Sequence, residues 1–494
     1  MEVLFLVTAQ DLTATSILCR FLRKIRAAWA HSHICRWLHS EPFWLGAAPS
    51  LLASGFPVAL RRLVRPLSAA GRTTVRESRL LALAAEKAWL LLFAATAYPL
   101  IDFALRRSGD PGGLAGTWDE ILLFLGLLLI AGRLFYRGID AWRSSELGLP
   151  LYLFCGTFIF LALVRSPETG VAVEGARVYL EYVLWFFVAL NLPDRTGQVR
   201  TLSAFFVATC TAIALYGIGQ YIAGVPVPQS WIDQAEAGVR TRAFSVVGSP
   251  NVLGSLLALS LPLAGAGFFT AGSRASRAGY AAASAAITIC LLVTFSRGAW
   301  LAAFLGLILF AAMTRPTLLA LLITAALVAP AASPGIAGRL LYLFSSGYLV
   351  SSQRSGRIAR WQAALDKLWQ HPLTGEGLGR FGGAVAARAI PGSFYVDNFY
   401  LKTAAETGLI GLGALFFLLV SAWRAGYRAC TALVTPAEKT LAAALLSGLT
   451  AVLLHNFVEN IFETPLMSTL FWVLLGLLVA LPRLTPERAP KPDR

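Results

Sequence analysis

Apolar runs of about 18 to 22 residues recur along the chain, each long enough for a helix to cross the hydrocarbon core of a bilayer. They predict about twelve transmembrane helices, at roughly 88–105, 119–136, 147–165, 171–192, 199–223, 250–271, 279–295, 299–314, 317–333, 406–423, 440–457 and 465–482. Two stretches break the pattern. Residues 1–86 hold no adequate span and set Arg beside Leu, Ile, Phe and Trp; Ser16-Ile-Leu-Cys-Arg-Phe-Leu returns there as Ser32-His-Ile-Cys-Arg-Trp-Leu. Such a segment suits either amphipathic helices on an anionic leaflet or a basic tail without regular structure. Residues 334–405 form a long polar connection, so the predicted order is extension 1–86, spans one to nine in 87–333, loop 334–405, spans ten to twelve in 406–482, and a basic tail 483–494.

Charge orients these spans. Arg137 and Arg143, Arg195 and Arg200, Arg274 and Arg277, Arg315, Arg424 with Arg428 and Lys439, and the tail from Arg483 all fall on one side. The positive-inside rule makes that side cytoplasmic, with both termini. The long loop then lies outside, yet it carries Arg339, Arg354, Arg357, Arg360, Lys367, Arg380, Arg388 and Lys402 against only Asp366, Glu376 and Asp397. Long loops are exempt from the rule, so the topology stands. Cations gathered outside the membrane point to an anionic substrate.

Composition agrees. Of 494 residues 57% are hydrophobic and 14% charged, and the mean hydropathy of +0.66 excludes a soluble globular protein. The net charge of +16 lies between apolar spans, where orientation and lipid headgroups account for it and nucleic acid does not. The six cysteines avoid the predicted outer loops, so no disulfide framework is implied. The short apolar start is followed by basic residues rather than preceded by them, so no cleavable signal peptide is expected. The fold class is all-α: a polytopic membrane protein with a helical outer-face loop domain.

Four constellations carry candidate chemistry. Arg240-Thr-Arg242 precedes Ser249-Pro250-Asn251 at a span start, where guanidinium donors beside a helix N-terminus suit phosphate; the Ser-Pro-Asn part reads as helix initiation. Ser296-Arg297-Gly298 sits between two close spans, with Gly298 read as permitting the tight turn. Arg357-Ile-Ala-Arg360-Trp361 opens a segment whose Ile358, Trp361, Leu365, Leu368 and Trp369 recur at helical spacing, predicting an amphipathic helix that stops at His371-Pro372. The Gly-rich run from Gly375 to Gly383, which includes Arg380, lacks the setting of a nucleotide loop and reads as turns, hinges or close backbone approach to substrate. Finally Asp397-Asn398 leads into an apolar helix in which Asn398, Lys402 and Glu406 fall on one face, with Lys402 paired to Glu406. Asp397 is either the helix cap or a base.

The order of these motifs resembles the O-antigen ligase/O-antigen polymerase superfamily over about residues 88–482. The resemblance rests on Arg242 ahead of Pro250-Asn251, Ser296-Arg297-Gly298, Arg357 with Trp361, Pro372-x-x-Gly375-x-Gly377, and Asp397-Asn398 ahead of Gly408-x-x-Gly411. It implies inverting, metal-independent glycosyl transfer, without a cofactor, from an undecaprenyl-diphosphate-linked glycan to a glycan, lipid or protein acceptor. The place is the outer face of the bacterial cytoplasmic membrane, where membrane lipids and envelope-polysaccharide assembly proteins are further partners. In the ligases the polar pair is usually His followed by Asn, Ser or Gln, with His the proposed base; here Asp397 stands in its place. The residues expected at the chemistry are Asp397, Arg357, Arg360 and Arg242, with Arg240, Arg297, Asn398, Lys402, Arg380 and Trp361 touching substrate. A transporter or flippase, or a noncatalytic envelope scaffold, are the alternatives; a transporter would place its ionisable residues at mid-membrane.

Overall fold

The computed structural model describes residues 32–42, 79–108, 113–138, 141–165, 167–228, 241–315, 317–324 and 356–484, with 338 and 353; every regular element among them is a helix. In chain order the helices are α1 His33–His39, α2 Arg79–Lys87, α3 Leu91–Thr96, α4 Tyr98–Arg107, α5 Leu114–Arg137, α6 Gly148–Arg165, α7 Thr169–Leu180, α8 Leu184–Asn191 and α9 Thr196–Ile222. They continue as α10 Pro250–Thr270, α11 Arg274–Val293, α12 Arg297–Thr314, α13 Arg357–Gln370, α14 Ala384–Ala389, α15 Phe399–Ala432, α16 Pro436–His455 and α17 Pro465–Ala480.

Nine helices among the described residues are long and apolar enough to cross a membrane, and ten if the pair Ala82–Thr96 and Tyr98–Arg107, bent by 65°, is one broken span. The other two expected spans differ for separate reasons. The run at 171–192 is interrupted at Glu181–Val183 and forms the shorter α7 and α8; the run at 317–333 is helical at 317–324 and then leaves the described residues. Of the N-terminal repeat, only the second copy is described. It forms α1, which rests on α15 with Leu38 buried and the Arg424 guanidinium 4.8 Å over the Trp37 ring.

Helices α10 and α17 are the most enclosed, with 72% and 89% of their apolar windows buried. Around them pack α9, α11, α12, α15 and α16. The connections sort into two ends. At one, Asp194 after α8 binds Arg133 and pairs with Arg137 and Arg143 at 2.9 and 3.2 Å, and Arg428 of α15 pairs with Glu146 at 2.7 Å. At the other lie the N-termini of α10, α12 and α15, the C-termini of α11 and α16, and the described part of the long loop.

That loop is fastened by a break in α15. Gly408 is non-helical there (φ 63°, ψ −166°), which strands backbone groups on either side. The 372–377 turn satisfies them: Leu409 and Ile410 N–H donate to the Pro372 and Leu373 carbonyls at 2.8 and 3.2 Å, and Glu376 and Gly377 N–H donate to the Ala405 and Glu406 carbonyls at 2.9 and 3.0 Å. A broken helix is tolerated at membrane depth only with such partners. The expectation that these glycines serve as hinges is thereby corrected. Gly375, Gly377 and Gly379 take positive φ and are buried, and a side chain at Gly375 would strike the Glu406–Thr407 backbone. They anchor the described part of the loop, the cap, to α15.

Candidate functional site

Ser249 caps α10, accepting from Val252 N–H at 3.4 Å with Pro250 in the first turn, so the initiation reading holds. It also aims Asn251 at a neighbour. Arg242, on the segment ahead of α10, donates from Nε to the Thr294 carbonyl at the end of α11 (2.9 Å) and from Nη2 to Asn251 Oδ1 (3.2 Å). The Asn251 amide donates in turn to Glu459 Oε2, in the connection after α16. Glu459 Oε2 is 3.7 Å from Arg357 Nη2, and Arg357 Nε is 4.0 Å from Asp397 Oδ2. Arg360, one turn along α13, donates to the same Asp397 oxygen at 2.7 Å. Arg242, Arg357, Arg360 and Asp397, remote in sequence, thus occupy one end of the bundle in a continuous polar row.

The backbone of Asp397 is in the left-handed region (φ 52°), which Asp tolerates better than most residues. The cap falls on the next residue: Asn398 Oδ1 accepts from Leu401 N–H at 3.0 Å. Asn398 N–H donates to Asn460 Oδ1 (3.1 Å), and Asn460 Nδ2 donates to the Gly382 carbonyl (2.8 Å), which also accepts from Val396 N–H at 3.1 Å. Asn460 therefore ties both flanks of Asp397 to the bundle.

Lys402 pairs with Glu406 as the spacing predicts (2.9 Å), and also meets Glu463 at 2.7 Å and the Tyr179 hydroxyl at 3.1 Å. Its three donors are accounted for internally and it is 2% exposed. Substrate contact, expected for Lys402, is corrected by this burial; Asn398, 6% exposed, uses its Oδ1 as the cap of α15. The two carboxylates reach onward to the cap, Glu406 accepting from Phe381 N–H at 3.3 Å and Glu463 from Ala384 N–H at 2.7 Å.

The remaining expected residues are more dispersed. Arg297 opens α12, half-buried. The positive φ of that turn is at Phe295 (53°) rather than Gly298; Gly298 instead permits close approach, since a Cβ there would lie 2.6 Å from Val458 Cγ2 and 3.1 Å from His455 Cδ2. Arg380 lies 3.5 Å from Glu168, away from the row. Trp361 is half-buried on α13, its indole N–H without a partner among the described residues. His371 ends α13 as expected and meets Arg165 Nη2 at 2.7 Å. Arg240 lies outside the described residues. Among the described residues no group of three or more His, Cys, Asp or Glu is placed to hold a metal ion.

Sequence reasoning missed Glu459, Asn251 as a ligand of the row, and Asn460. The signal was present in Glu459-Asn460-Ile-Phe-Glu463, three polar residues in a very short connection between two apolar helices. Glu459 is 15% exposed along its side chain. Burial pushes its carboxyl up to about 7; the Asp397 charge adds to the rise and Arg357 opposes it.

A polytopic helical membrane protein with arginines and carboxylates gathered at one end is the class that fold and site define. The O-antigen ligase family model matches residues 281–417, which include Arg297, α13, the Gly-rich turn, Asp397 and the Gly408 break. The chain is also 28% identical, over 328 residues covering 62% of its length and 70% of the relative, to the "Exopolysaccharide production protein ExoQ" of Rhizobium meliloti (strain 1021). The resemblance to the O-antigen ligase/O-antigen polymerase superfamily is borne out.

Proposed function

We propose that this protein is a membrane glycosyltransferase that moves a glycan from an undecaprenyl-diphosphate carrier to an acceptor at the outer face of the bacterial cytoplasmic membrane. The observation that carries this reading is the convergence of Arg242, from the segment ahead of α10, with Arg357 and Arg360 of α13. A diphosphate needs several donors at once, and guanidinium supplies them in a planar fork. Arg357 and Arg360 keep about a third of their side chains exposed, and the pairs of Arg357 at 3.7 and 4.0 Å are looser than hydrogen bonds. Phosphate oxygens can reach Arg357 without breaking a tight contact.

In this mechanism an acceptor hydroxyl attacks the anomeric carbon from the face opposite the diphosphate, inverting it in one displacement. Negative charge grows on the departing diphosphate, and the arginines stabilise it as it forms. Asp397 orients the acceptor or takes its proton. The name of the exopolysaccharide relative supports the chain-building branch over transfer to a finished lipid core. The test is glycan chain length in cells carrying Arg357→Ala or Asp397→Asn, with membrane abundance measured alongside. Shortened or absent polymer at normal abundance is expected, and full-length polymer from both variants would sink the assignment.

A further inference from the structure

We infer that Glu459, rather than Asp397, takes the acceptor's proton, and that Asp397 positions the two arginines of α13. This rests on the glycosyl-transfer reading and names the group that completes it.

The two carboxylates flank Arg357 but are held differently. One oxygen of Asp397 faces both Arg360 at 2.7 Å and Arg357 at 4.0 Å. A proton delivered there must displace a charged donor, loosening the arginines as the departing diphosphate most needs them. Glu459 faces one guanidinium rather than two, and none within hydrogen-bond distance. Its Oε2 accepts from Asn251, a neutral amide, and its one ion pair among the described residues is Arg357 at 3.7 Å. Asn251 is in turn fixed by Arg242 and the first turn of α10, so Glu459 is oriented by a neutral group that stays in place when the carboxyl is protonated on its other oxygen. The groups facing it are Arg357 of α13, Asp397 ahead of α15, and Asn251 with Arg242 behind it. A carboxyl poised near 7 by burial suits a general base at neutral pH.

The step balances. The acceptor O–H bond breaks as its oxygen bonds to the anomeric carbon, the carbon–oxygen bond to the diphosphate breaks with its electron pair leaving on that oxygen, and the proton goes to Glu459. The carboxyl then loses it to water. No oxidant, metal or cofactor enters the balance.

The test uses full-length protein in lipid nanodiscs and the lipid-diphosphate oligosaccharide that accumulates in cells lacking this protein, scoring release of free polyprenyl diphosphate against pH. Wild-type turnover is expected to rise with pH through about 7 as Glu459 ionises. Glu459→Gln is expected to lose about 100-fold or more and the pH limb with it, while still binding polyprenyl diphosphate. Glu459→Asp should restore part of the rate and the limb. Asp397→Asn should weaken diphosphate binding yet keep the limb. Wild-type turnover with the limb intact in Glu459→Gln, or loss of the limb in Asp397→Asn alone, would overturn the inference. Absence of turnover by the wild-type protein would instead refute the proposed function. Thermal unfolding of each variant separates loss of chemistry from loss of fold, with Glu459→Asp as the readout should the Gln variant not fold.

Discussion

The two ends of the bundle use the same side chains to opposite effect. At the basic end Arg133, Arg137 and Arg143 crowd onto one carboxylate, Asp194. Arg143 also donates to the Leu190 and Pro193 carbonyls at 3.0 and 2.5 Å, and Arg133 donates to the Leu192 carbonyl at 2.6 Å. These are unsatisfied carbonyls where a helix ends, and cations belong there. The guanidinium groups of Arg133 and Arg143 are largely occupied by backbone and Asp194. At the other end Arg357 and Arg360 meet carboxylates with part of each side chain still open. Counting arginines does not separate the two clusters. What each donor already holds does.

Substitutions at matched positions should pull this contrast apart. The largest effect is expected from Arg357→Ala, a loss of transfer on the order of 100- to 1000-fold with membrane abundance unchanged, measured as donor turnover in vesicles. Asp194→Ala should do the reverse, lowering thermal stability by on the order of 2–3 kcal/mol while the folded fraction keeps its turnover. Lys402→Met comes next. It strips Glu406 and Glu463 of their cation, both nearly inaccessible, and should destabilise by about 3 kcal/mol; limited proteolysis should cut first within 376–396, which those carboxylates hold. Asn460→Ala should lower turnover roughly tenfold with little change in unfolding temperature, because it releases the flanks of Asp397 and misplaces the row. Unchanged turnover would show that Asp397 holds its left-handed geometry unaided. The smallest effect is Gly298→Ala, about 1–3 kcal/mol from overpacking against Val458 and His455, with Val458→Ala restoring part of the loss.

The helices were largely legible because lipid allows so few backbone solutions. An apolar run of span length must be a helix, and most of the expected spans are. Where reading failed, the cause was tertiary. The run at 171–192 is apolar enough to cross in one piece, yet it breaks at Glu181–Val183. The Gly-rich turn looks like a hinge when its partner is unknown; only the Gly408 break shows that its backbone is spoken for. Arg242, Arg357, Arg360 and Asp397 were legible because charge beside membrane is costly and stands out. Lys402 stood out for the same reason and proved internal, since spacing reveals a neighbour at i+4 but not Glu463 or Tyr179 from other helices. Glu459 was hidden by brevity, as polar residues in a short connection look like an ordinary helix end.

The central claim is that arginines from separate elements grip one diphosphate, and direct binding tests it most simply. Undecaprenyl diphosphate should bind the purified full-length protein in nanodiscs, and Arg242→Ala and Arg357→Ala should each weaken that binding about tenfold or more, with undecaprenyl monophosphate far less affected. Equal affinity for the diphosphate in wild type and in both variants would contradict the account.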